Sequence, residues 1–559
     1  MKYTLMMTLL APALLAGCNL EKKEEPFQAR HIRAGYDAGQ VCQQLRQGWQ
    51  EDGIAIPASQ VSCHYLTVPL DYDKEWVQIK ESKWEKGSTS RSSSSFFSGD
   101  SSRFSSWSNQ PSSTQIKQQT RTVKGDTLDI FYLHYRASGD YRGTLFYNPG
   151  GPTSATPDLG LLLDLLRSAN PAILEHYDIV TLDPRGAGYS ALGHELRSCL
   201  LTDKQGVRPD MTPAQLAQLF ASRDKGALPA LESGADQGKA FSTTLRERCD
   251  EPLRLHAPHL GSRAVVEDME RLRQHLGRER ITPITFSYGT RLAALYAARY
   301  PSHVANLVVD SPMSPAESSY PAIFRRDAEN ANRILAWRFG EQALQRSMAV
   351  TRQVRDNGRY VDNQGNVLDR ASWVAVLGDA ISGSQRDDQL AFWQQDDAGP
   401  LLARLAGQDD DNPYQELQEM PFFSAIHCTD NSEPYGWQGL DPEDAAFQGA
   451  GALLLAKSFN TCADWPYPRQ PITSYGAGEI KLPDNARALV LGAEYDPNTP
   501  FAGARQMQAA FGSAARLVQV EQSNQHGQLN SSRCARAALS TLLLGDGASL
   551  PAEQRCLAD

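Results

Sequence analysis

The chain has 559 residues, of which 41% are hydrophobic and 21% are charged, and its formal net charge is -10. This length exceeds what one small core needs, so we expect one large domain with an inserted subdomain, or two to three domains. The acidic balance and the lack of basic runs argue against nucleic acid as a partner, without identifying a substrate.

The N-terminus has the features of an export signal. Lys2 gives a positive start, and the apolar stretch from Leu5 to Leu15 is too short to span a bilayer comfortably. The stretch ends in L-A-G-C, which resembles the bacterial lipobox, so Cys18 is expected to become the lipidated first residue of the mature chain. Residues 1–18 are therefore predicted to be a lipoprotein signal peptide, and an ordinary signal peptide with a chance cysteine is the alternative.

The residues after Cys18 indicate a tether and a destination. Asn19, rather than an aspartate, follows the cysteine, and by resemblance to sorting in enteric-type bacteria this favours the outer membrane. We therefore predict an exported, membrane-anchored lipoprotein at the outer membrane or periplasmic face rather than in the cytoplasm. The charged run at 21–25 predicts a solvated tether over residues 19–35.

Cysteine usage agrees with export. Eight cysteines remain after Cys18, and they fall as sequence neighbours: Cys42 and Cys63, Cys199 and Cys249, Cys428 and Cys462, Cys534 and Cys556. Four local disulfides in an oxidising compartment are the simplest interpretation, although spacing alone leaves the connectivity open. A zinc site is the competing interpretation, but the chain has no C-x-x-C or H-E-x-x-H spacing, so we expect no metal.

A serine-rich segment interrupts the first part of the chain, at about residues 87–114. It contains too little apolar surface to offset its ordering entropy, so we expect a flexible insertion or a long surface loop. Its phenylalanines and Trp107 are unusual for a linker and suggest docking on a partner or on the domain itself.

Strands and helices alternate along the rest of the chain. Strands are predicted at 130–135, 144–147, 177–182, 281–286, 304–309, 488–491 and 516–520, and helices at 265–276, 291–300 and 535–544. This alternation predicts an α/β fold with a mostly parallel central sheet and helices on both faces. A mainly helical region at 315–481 predicts an inserted cap, which leaves a core of residues 36–314 and 482–559.

Ser287 is the candidate nucleophile, in the stretch I-T-F-S-Y-G-T at 284–290. It lies between a predicted strand and a predicted helix, and such an elbow holds a hydroxyl where the positive end of the helix faces a developing oxyanion. Gly289 fits the close approach of strand and helix, but Thr285 stands where G-x-S-x-G has a glycine. The stretch alone is equally consistent with a structural turn.

A nucleophilic serine needs a base and an orienting acid, which follow it in the order acid, then histidine, in proteins with this elbow. His526 is the one histidine after residue 481, and it lies in a polar loop after a predicted strand; a surface histidine is the alternative. Asp496, which precedes a proline in the loop after the strand at 488–491, is the expected acid. The competing acids are Glu494 and Asp310.

An oxyanion hole needs two backbone N–H groups. Tyr288, directly after the nucleophile, is expected to supply one. The loop after the strand at 144–147 reads N-P-G-G-P, and its glycines allow the backbone to approach a substrate carbonyl. Gly151 is the expected second donor, with Gly150 as the alternative and a plain Pro-Gly turn as the competing interpretation.

Several motifs occur together in a fixed order. They are V-P-L-D-Y at 68–72 after Cys63, N-P-G-G-P at 148–152, D-P-R-G-A-G-Y-S at 183–190, S-Y-G-T at 287–290, E-Y-D-P-N-T-P at 494–500 and H-G at 526–527, with A-I-H-C at 425–428, C-A-D-W-P at 462–466 and the pair Cys534 and Cys556. Together they resemble the secreted tripeptidyl aminopeptidases and related proline iminopeptidases of the α/β-hydrolase fold. The resemblance covers nearly the whole chain from Cys42, apart from the serine-rich insertion. One departure is T-S-A-T at 153–156, where the family has a glycine-rich run.

The resemblance implies a serine exopeptidase that releases short peptides or single residues from free N-termini, with no cofactor. A buried substrate ammonium needs an anionic partner, so a carboxylate of the cap is expected to bind it. Asp430 and Glu433 are candidates, but both are also typical surface acids, and this site is left open. Partners other than a peptide and the membrane are not predicted, and the oligomeric state is left open.

Two other functions are compatible with the same residues. An esterase or lipase-like hydrolase would use the same fold and triad, because these do not separate ester from amide cleavage. A lipid-anchored binding protein with a vestigial hydrolase site is the other.

Overall fold

The computed structural model describes residues 29–86, 114–199, 245–316, 320–383, 387–406, 413–431, 441, 443–457, 462 and 465–559. The predictions for the signal peptide, Cys18, most of the tether, nearly all of the serine-rich insertion and Glu433 lie outside these residues. The described chain forms two compact units, a small one that includes residues 74–125 and a large one that contains residues 31–73 and 126–559.

A ten-stranded sheet organises the large unit, in the order β1-β5-β7-β6-β8-β9-β12-β13-β14, with β2 paired to β5. Its strands are β1 (His31–Ile32), β2 (Val61–Pro69), β5 (Thr127–Tyr135), β6 (Gly143–Asn148), β7 (Tyr177–Leu182), β8 (Thr282–Phe286), β9 (Leu307–Asp310), β12 (Ala488–Ala493), β13 (Ala515–Glu521) and β14 (Glu553–Leu557). From β7 to β14 every pairing is parallel, whereas β5 runs antiparallel to β2 and β7. The predicted α/β class with a mostly parallel sheet is confirmed.

The described helices of the large unit carry the labels α1 to α16 here. They are α1 (Ala38–Glu51), α2 (Leu159–Ala169), α3 (Ala172–His176), α4 (Gly193–Ser198), α5 (Ser262–His275), α6 (Gly289–Arg299), α7 (Tyr320–Phe339), α8 (Glu341–Asn357), α9 (Arg370–Ser382), α10 (Asp387–Leu390), α11 (Gly399–Ala406), α12 (Pro413–Asp430), α13 (Ala452–Lys457), α14 (Phe501–Phe511), α15 (Gln528–Ser531) and α16 (Arg533–Leu544). Residues 245–256 are also helical.

Two apolar layers cover the sheet because its strands are hydrophobic on both faces. Leu489 and Leu491 of β12 pack with α1, α2 and α16, whereas Val490 between them packs with α5, α6 and α14. This alternation is the period of two expected of a strand, and it confirms helices on both faces.

The helices α7 to α13 lie between β9 and β12, within the residues predicted to form a cap. They surround a separate apolar cluster centred on the buried Trp373, which packs against Phe392 and Trp393. A short antiparallel pair, β10 (Arg359–Val361) and β11 (Val367–Asp369), accompanies them. The boundaries between core and cap, after residues 314 and 481, remain a prediction from the sequence.

The small unit contains a long antiparallel ribbon of β3 (Trp76–Lys86) and β4 (Thr114–Lys124). These strands were not predicted from the sequence. Their many lysines, glutamines and glutamates mask the alternation of apolar and polar residues that is typical of a half-buried strand. β1 falls in the range predicted as a tether, so the sheet begins earlier than expected; a strand of two residues leaves no periodic pattern.

Four disulfides join the cysteines as sequence neighbours: Cys42 to Cys63, Cys199 to Cys249, Cys428 to Cys462 and Cys534 to Cys556. The expectation of four local bridges is confirmed. In the part of the chain that the structure describes, no helix has the length and apolar content that crossing a membrane requires.

A fully buried ion pair ties β7 to α5. Arg185, in the loop after β7, donates from Nε and Nη2 to the carboxylate of Asp268 at 2.8 and 2.5 Å, and both side chains are 0% exposed. Tyr72 donates a third hydrogen bond to this carboxylate at 2.6 Å, and Arg185 also donates to the carbonyls of Leu70 and His259. The motifs at 68–72 and 183–190 are thereby joined in one polar network.

Candidate active site

Ser287 lies at a sharp turn between β8 and α6. Its φ is +50°, a left-handed value that is costly for a residue with a side chain and that is expected of a nucleophile elbow. A Cβ on Gly289 would lie 2.4 Å from Asn148 Oδ1, so this position needs glycine. Thr285 stands at the position of the elbow glycine, and its buried hydroxyl donates to the carbonyl of Val308 at 3.2 Å.

Asp496 and His526 meet beyond the carboxyl ends of β12 and β13. Nδ1 of His526 lies 2.9 and 3.0 Å from the two carboxylate oxygens of Asp496. Asp496 is completely buried, and the N–H groups of Asn498 and Thr499 and the Thr499 hydroxyl donate to it at 2.9 to 3.0 Å. The carboxylate is therefore fixed, and it requires a proton on Nδ1, which leaves Nε2 as the basic nitrogen.

The competing acids lie elsewhere. Glu494 accepts a hydrogen bond from the backbone N–H of Gln522 at 3.1 Å, and it does not contact His526. Asp310 is buried at the end of β9, where its carboxylate accepts hydrogen bonds from backbone N–H groups of α15, directly after the histidine loop. Of the three carboxylates considered from sequence, the structure brings Asp496 to the imidazole.

Ser287 and His526 make no mutual hydrogen bond among the described residues. Their elements are nevertheless adjacent, since a Cβ on Gly527 would lie 4.0 Å from the ring of Phe286. Hydrogen bonds between nucleophile and base are often long in the absence of substrate.

The charge environment favours protonation of His526. Burial lowers the pKa of this imidazole, but the hydrogen bond and charge of Asp496, together with the charge of Asp310, outweigh burial and raise the pKa above its ordinary value of 6.5. The imidazolium that forms during proton transfer is therefore stabilised.

We expect kcat/KM to rise with pH through the pKa of His526, because only the neutral imidazole can accept a proton. The midpoint of this acid limb should lie above pH 6.5, since the pKa is raised from that value. A pH profile of kcat/KM measures the midpoint in the free protein. A midpoint well below the ordinary histidine value would contradict the described contact with Asp496.

The glycine loop at 148–152 packs against the elbow. A Cβ on Gly150 would lie 2.9 Å from the Cβ of Ser287, and φ is +111° at Gly150 and +94° at Gly151. The N–H of Gly150 donates to Asn148 Oδ1 at 3.0 Å. Gly151 has no such partner among the described residues, which makes it the better of the two predicted donors. Tyr288 is the N-cap of α6, so its backbone lies at the N-terminal end of this helix.

Asp183 holds the residues after the glycine loop. Its buried carboxylate accepts hydrogen bonds from the Ser154 hydroxyl and from the N–H groups of Ala155, Thr156 and Tyr189 at 2.8 to 3.1 Å. The T-S-A-T departure at 153–156 therefore forms an ordered turn on a buried acid. Asp183 begins the motif at 183–190, but its role depends on these buried contacts and was not predicted from the sequence.

The residues of the predicted cap contact both loops that carry the triad acid and base. Asn330 of α7 donates to the carbonyl of Asp496 at 2.8 Å, and Trp337 stacks on Tyr495 with ring centroids 4.3 Å apart. Asn524, in the histidine loop, donates to the carbonyl of Ile381 at 3.3 Å.

A cavity of about 300 Å³ adjoins the base. Mostly apolar side chains of β6, α2 and β8 line it, together with the imidazole of His526, the carboxylate of Asp158 and the phenol of Tyr147. Burial raises the pKa of Asp158, and the charges of Asp183 and Glu419 raise it further. The Asp158 side chain has no hydrogen-bond or ion-pair partner among the described residues. Asp158 was not predicted as a functional residue, because an aspartate before a helix is typical of an N-cap. In the structure its side chain makes no capping hydrogen bond.

Asp430 does not stay a candidate for binding a substrate ammonium. It is 1% exposed, and it accepts hydrogen bonds from the N–H and hydroxyl of Ser262 at 2.8 and 2.5 Å. Burial raises the pKa of Asp430 to about 6, although the bonds from Ser262 oppose this. The acid joins α12 to α5 and is not available to a substrate; Glu433 lies outside the described residues.

Comparison with known proteins agrees with this geometry. Residues 143–531 match the family model described as alpha/beta hydrolase fold, and the chain belongs to this family. It is similar to a tripeptidyl aminopeptidase of Streptomyces coelicolor (24% identity over 443 residues, 73% of this chain and 75% of that protein). It is also similar to Carboxylesterase B of Mycobacterium tuberculosis (25% over 466 residues, 77% and 83%). Serine protease Hip1 of that organism is 24% identical over 409 residues (67% and 74%).

Among solved structures, a proline iminopeptidase of Mycobacterium smegmatis aligns with a TM-score of 0.36 and 13% identity, covering 75% of this chain and 95% of that chain. The resemblance drawn from the motifs is confirmed by the family model and the relatives.

Proposed function

We propose that the protein is an exported, lipid-anchored serine exopeptidase that cleaves short peptides from free N-termini. The observation that carries the serine-hydrolase chemistry is the buried Asp496 carboxylate on Nδ1 of His526, next to the elbow of Ser287. The relatives named tripeptidyl aminopeptidase and serine protease support a peptide as the substrate.

The proposed reaction is acyl transfer through Ser287. Nε2 of His526 removes the hydroxyl proton as the oxygen attacks the scissile carbonyl, while Asp496 orients the imidazole and stabilises its charge. The N–H groups of Tyr288 and Gly151 stabilise the tetrahedral oxyanion. His526 then protonates the leaving amine, and water, deprotonated by the same imidazole, releases the acyl group from Ser287.

Asp158 supports the preference for a free N-terminus. Asp158 is a half-buried carboxylate in the cavity beside the base, and it has no hydrogen-bond or ion-pair partner within the described part of the chain. Such a carboxylate is the partner that a desolvated α-ammonium requires. Glu419 of α12 lies near the same site, and the Thr153 hydroxyl approaches its carboxylate at 3.5 Å. The negative charges of Asp158 and Glu419 are close enough to affect each other, and together they would favour cationic over blocked peptide ends.

A substrate panel tests this proposal. Peptide p-nitroanilides with free N-termini, the same peptides with acetylated N-termini, and p-nitrophenyl acyl esters are compared by kcat/KM. Preference for free N-termini supports exopeptidase action. Equal turnover of free and blocked peptides would refute it, and turnover of esters alone would favour an esterase.

Asp158→Asn should lower kcat/KM for free N-terminal peptides by about 10- to 100-fold, since a hydrogen bond to a charged group contributes about 1.5–3 kcal/mol. Turnover of acetylated peptides or esters should change little, because they carry no ammonium. Steady-state kinetics on both substrate classes measure this difference. Asp164→Asn, an exposed acid on the same helix α2, is the matched control. An equal loss on both classes would contradict ammonium binding by Asp158.

An esterase is the second candidate, favoured by the similarity to Carboxylesterase B. It would use Ser287, His526 and Asp496 in the same roles, and the cavity beside the base would hold an acyl chain. The substrate panel separates it from a peptidase. A vestigial binding protein is separated from both by a fluorophosphonate probe, which labels a competent serine.

The lipid anchor is proposed from the L-A-G-C stretch that ends at Cys18. Metabolic labelling with an alkyne fatty acid tests it in the intact chain. Label on the wild type and none on Cys18→Ala is the expected result, and equal label on both would refute the anchor.

A further inference from the structure

Asp310 ends β9 and Ser311 follows it, and together they hydrogen-bond to the elbow of Ser287, to the segment after His526 and to β12. We propose that they form a positioning pair that holds the loop of His526 in register with the elbow of Ser287. The inference rests on the proposed serine chemistry of this site, and it assigns a role to two buried residues that the acyl-transfer steps do not use.

The backbone of Asp310 reaches the nucleophile, and its side chain reaches the base. Its carbonyl accepts the N–H of Ser287 at 3.0 Å. Its carboxylate oxygens accept the N–H groups of Gln528 and Leu529 at 2.8 Å each, directly after the histidine loop. One residue is thereby bonded to the elbow and to the segment two and three positions beyond His526.

Ser311 completes the connection. Its hydroxyl accepts the N–H of Gly527, the neighbour of His526, at 2.8 Å, and its own N–H donates to the carbonyl of Leu491 in β12. β12 leads to the Asp496 loop. The φ of Ser311 is +52°, a left-handed conformation that a residue with a side chain rarely adopts. Such strain persists when surrounding bonds over-determine it, and here the strained residue supports the base loop.

The charge of Asp310 acts on the same imidazole. The charged groups that raise the pKa of His526 are Asp496 and Asp310, whereas burial lowers it. Burial raises the pKa of Asp310 itself to about 6, the N–H groups of Gln528 and Leu529 oppose this, and the charges of His526 and Asp496 act in opposite directions. A second anion near the imidazole therefore stabilises its protonated form above about pH 6.

Asp310→Asn is the first test. One amide oxygen cannot replace two carboxylate oxygens as acceptors, and the negative charge is lost. We expect kcat to fall about 10- to 100-fold from displacement of the base. The acid limb of kcat/KM should move to lower pH by up to about 1 unit, because the imidazolium loses an anionic neighbour. A folded variant with wild-type kcat and midpoint would overturn the proposal.

Ser311→Ala separates position from charge. It removes the acceptor of the Gly527 N–H and the hydrogen bond of 3.3 Å from the Ser311 hydroxyl to Asp310, but it keeps the Asp310 carboxylate and its two backbone donors. We expect a fall in kcat of about tenfold with KM and the acid midpoint unchanged. If Asp310→Asn does not fold, the kcat of Ser311→Ala alone tests the positioning role. Wild-type kcat in folded Ser311→Ala would overturn that role.

Asp362→Asn is the matched control. Asp362 is also buried and accepts backbone N–H groups, from Gln364, Asn366 and Ala398, but it lies among the residues of the predicted cap. This change should lower the free energy of unfolding and leave the acid midpoint of kcat/KM unchanged. An equal shift of the midpoint in Asp362→Asn would mean that the effect of Asp310→Asn is not specific to the site.

All variants are also assayed by the rate of fluorophosphonate labelling. If the protein is not a peptidase, labelling of the wild type persists while peptide turnover is absent, and the variants still report on the pair. If the pair has no positioning role, the variants label at the wild-type rate.

Discussion

Ser287→Ala is expected to lower kcat by about 10⁶-fold and to abolish labelling by a fluorophosphonate probe. The hydroxyl is the one group of the proposed site that forms a bond to the substrate, and its neighbours cannot replace it. The elbow fixes the position of this hydroxyl, because φ of Ser287 is +50° and the backbone of Gly150 packs closely against the Cβ of Ser287. Burst and steady-state kinetics on the preferred substrate measure the loss.

Ser540→Ala is a suitable control, because its hydroxyl only bonds to backbone carbonyls on α16 and α2. It should retain wild-type kcat. Substantial turnover by Ser287→Ala, with labelling retained, would place the nucleophile elsewhere and end the assignment of this elbow.

Asp268→Asn is expected to lower the free energy of unfolding by about 3–5 kcal/mol, because it leaves the guanidinium of Arg185 buried without its counter-charge. Both side chains are 0% exposed, so solvent cannot compensate. The amide can accept from only one of the two guanidinium N–H groups. Denaturant unfolding followed by circular dichroism measures the change, with the disulfides intact.

The same helix supplies a control for the charge. Arg263 of α5 pairs with Asp73 at 3.0 Å, but their side chains are 48% and 65% exposed. Arg263→Gln should cost less than about 1 kcal/mol. The double variant Arg185→Met with Asp268→Leu should recover part of the lost stability, since no unpaired charge remains. Equal losses in Asp268→Asn and Arg263→Gln would mean that burial of the pair has no special effect.

The parts of the fold that sequence predicted well are those with a strong apolar pattern. β7 was predicted with its observed bounds, because Y-D-I-V-T-L is rich in aromatic and β-branched residues, and all six positions are buried in the interior of the sheet. β14 was missed since E-Q-R-C-L is mostly polar at the sheet edge, with only Cys556 buried. The ribbon of β3 and β4 was missed for a related reason, its polar composition.

For the candidate site, chain order and loop position were sufficient to choose Asp496 and His526 before their contact was known. Asp158 and Asp310 could not be assigned this way, because their roles depend on burial and on partners distant in sequence. Asp310 accepts hydrogen bonds from residues more than two hundred positions away. Asp430 illustrates the opposite error, since a carboxylate after a cap cysteine looked accessible but is enclosed by α5.

The connection between β2 and β5 affects which changes in chain length this fold can accommodate. Pro69 and Thr127 stand opposite each other in β2 and β5, and the N–H of Leu70 donates to the carbonyl of Asp126 at 2.8 Å. The chain therefore leaves β2 and enters β5 at adjacent positions of the sheet, before and after residues 74–125. Because closing a longer turn adds little entropic cost, evolution can lengthen, shorten or replace this excursion without altering the hydrolase sheet.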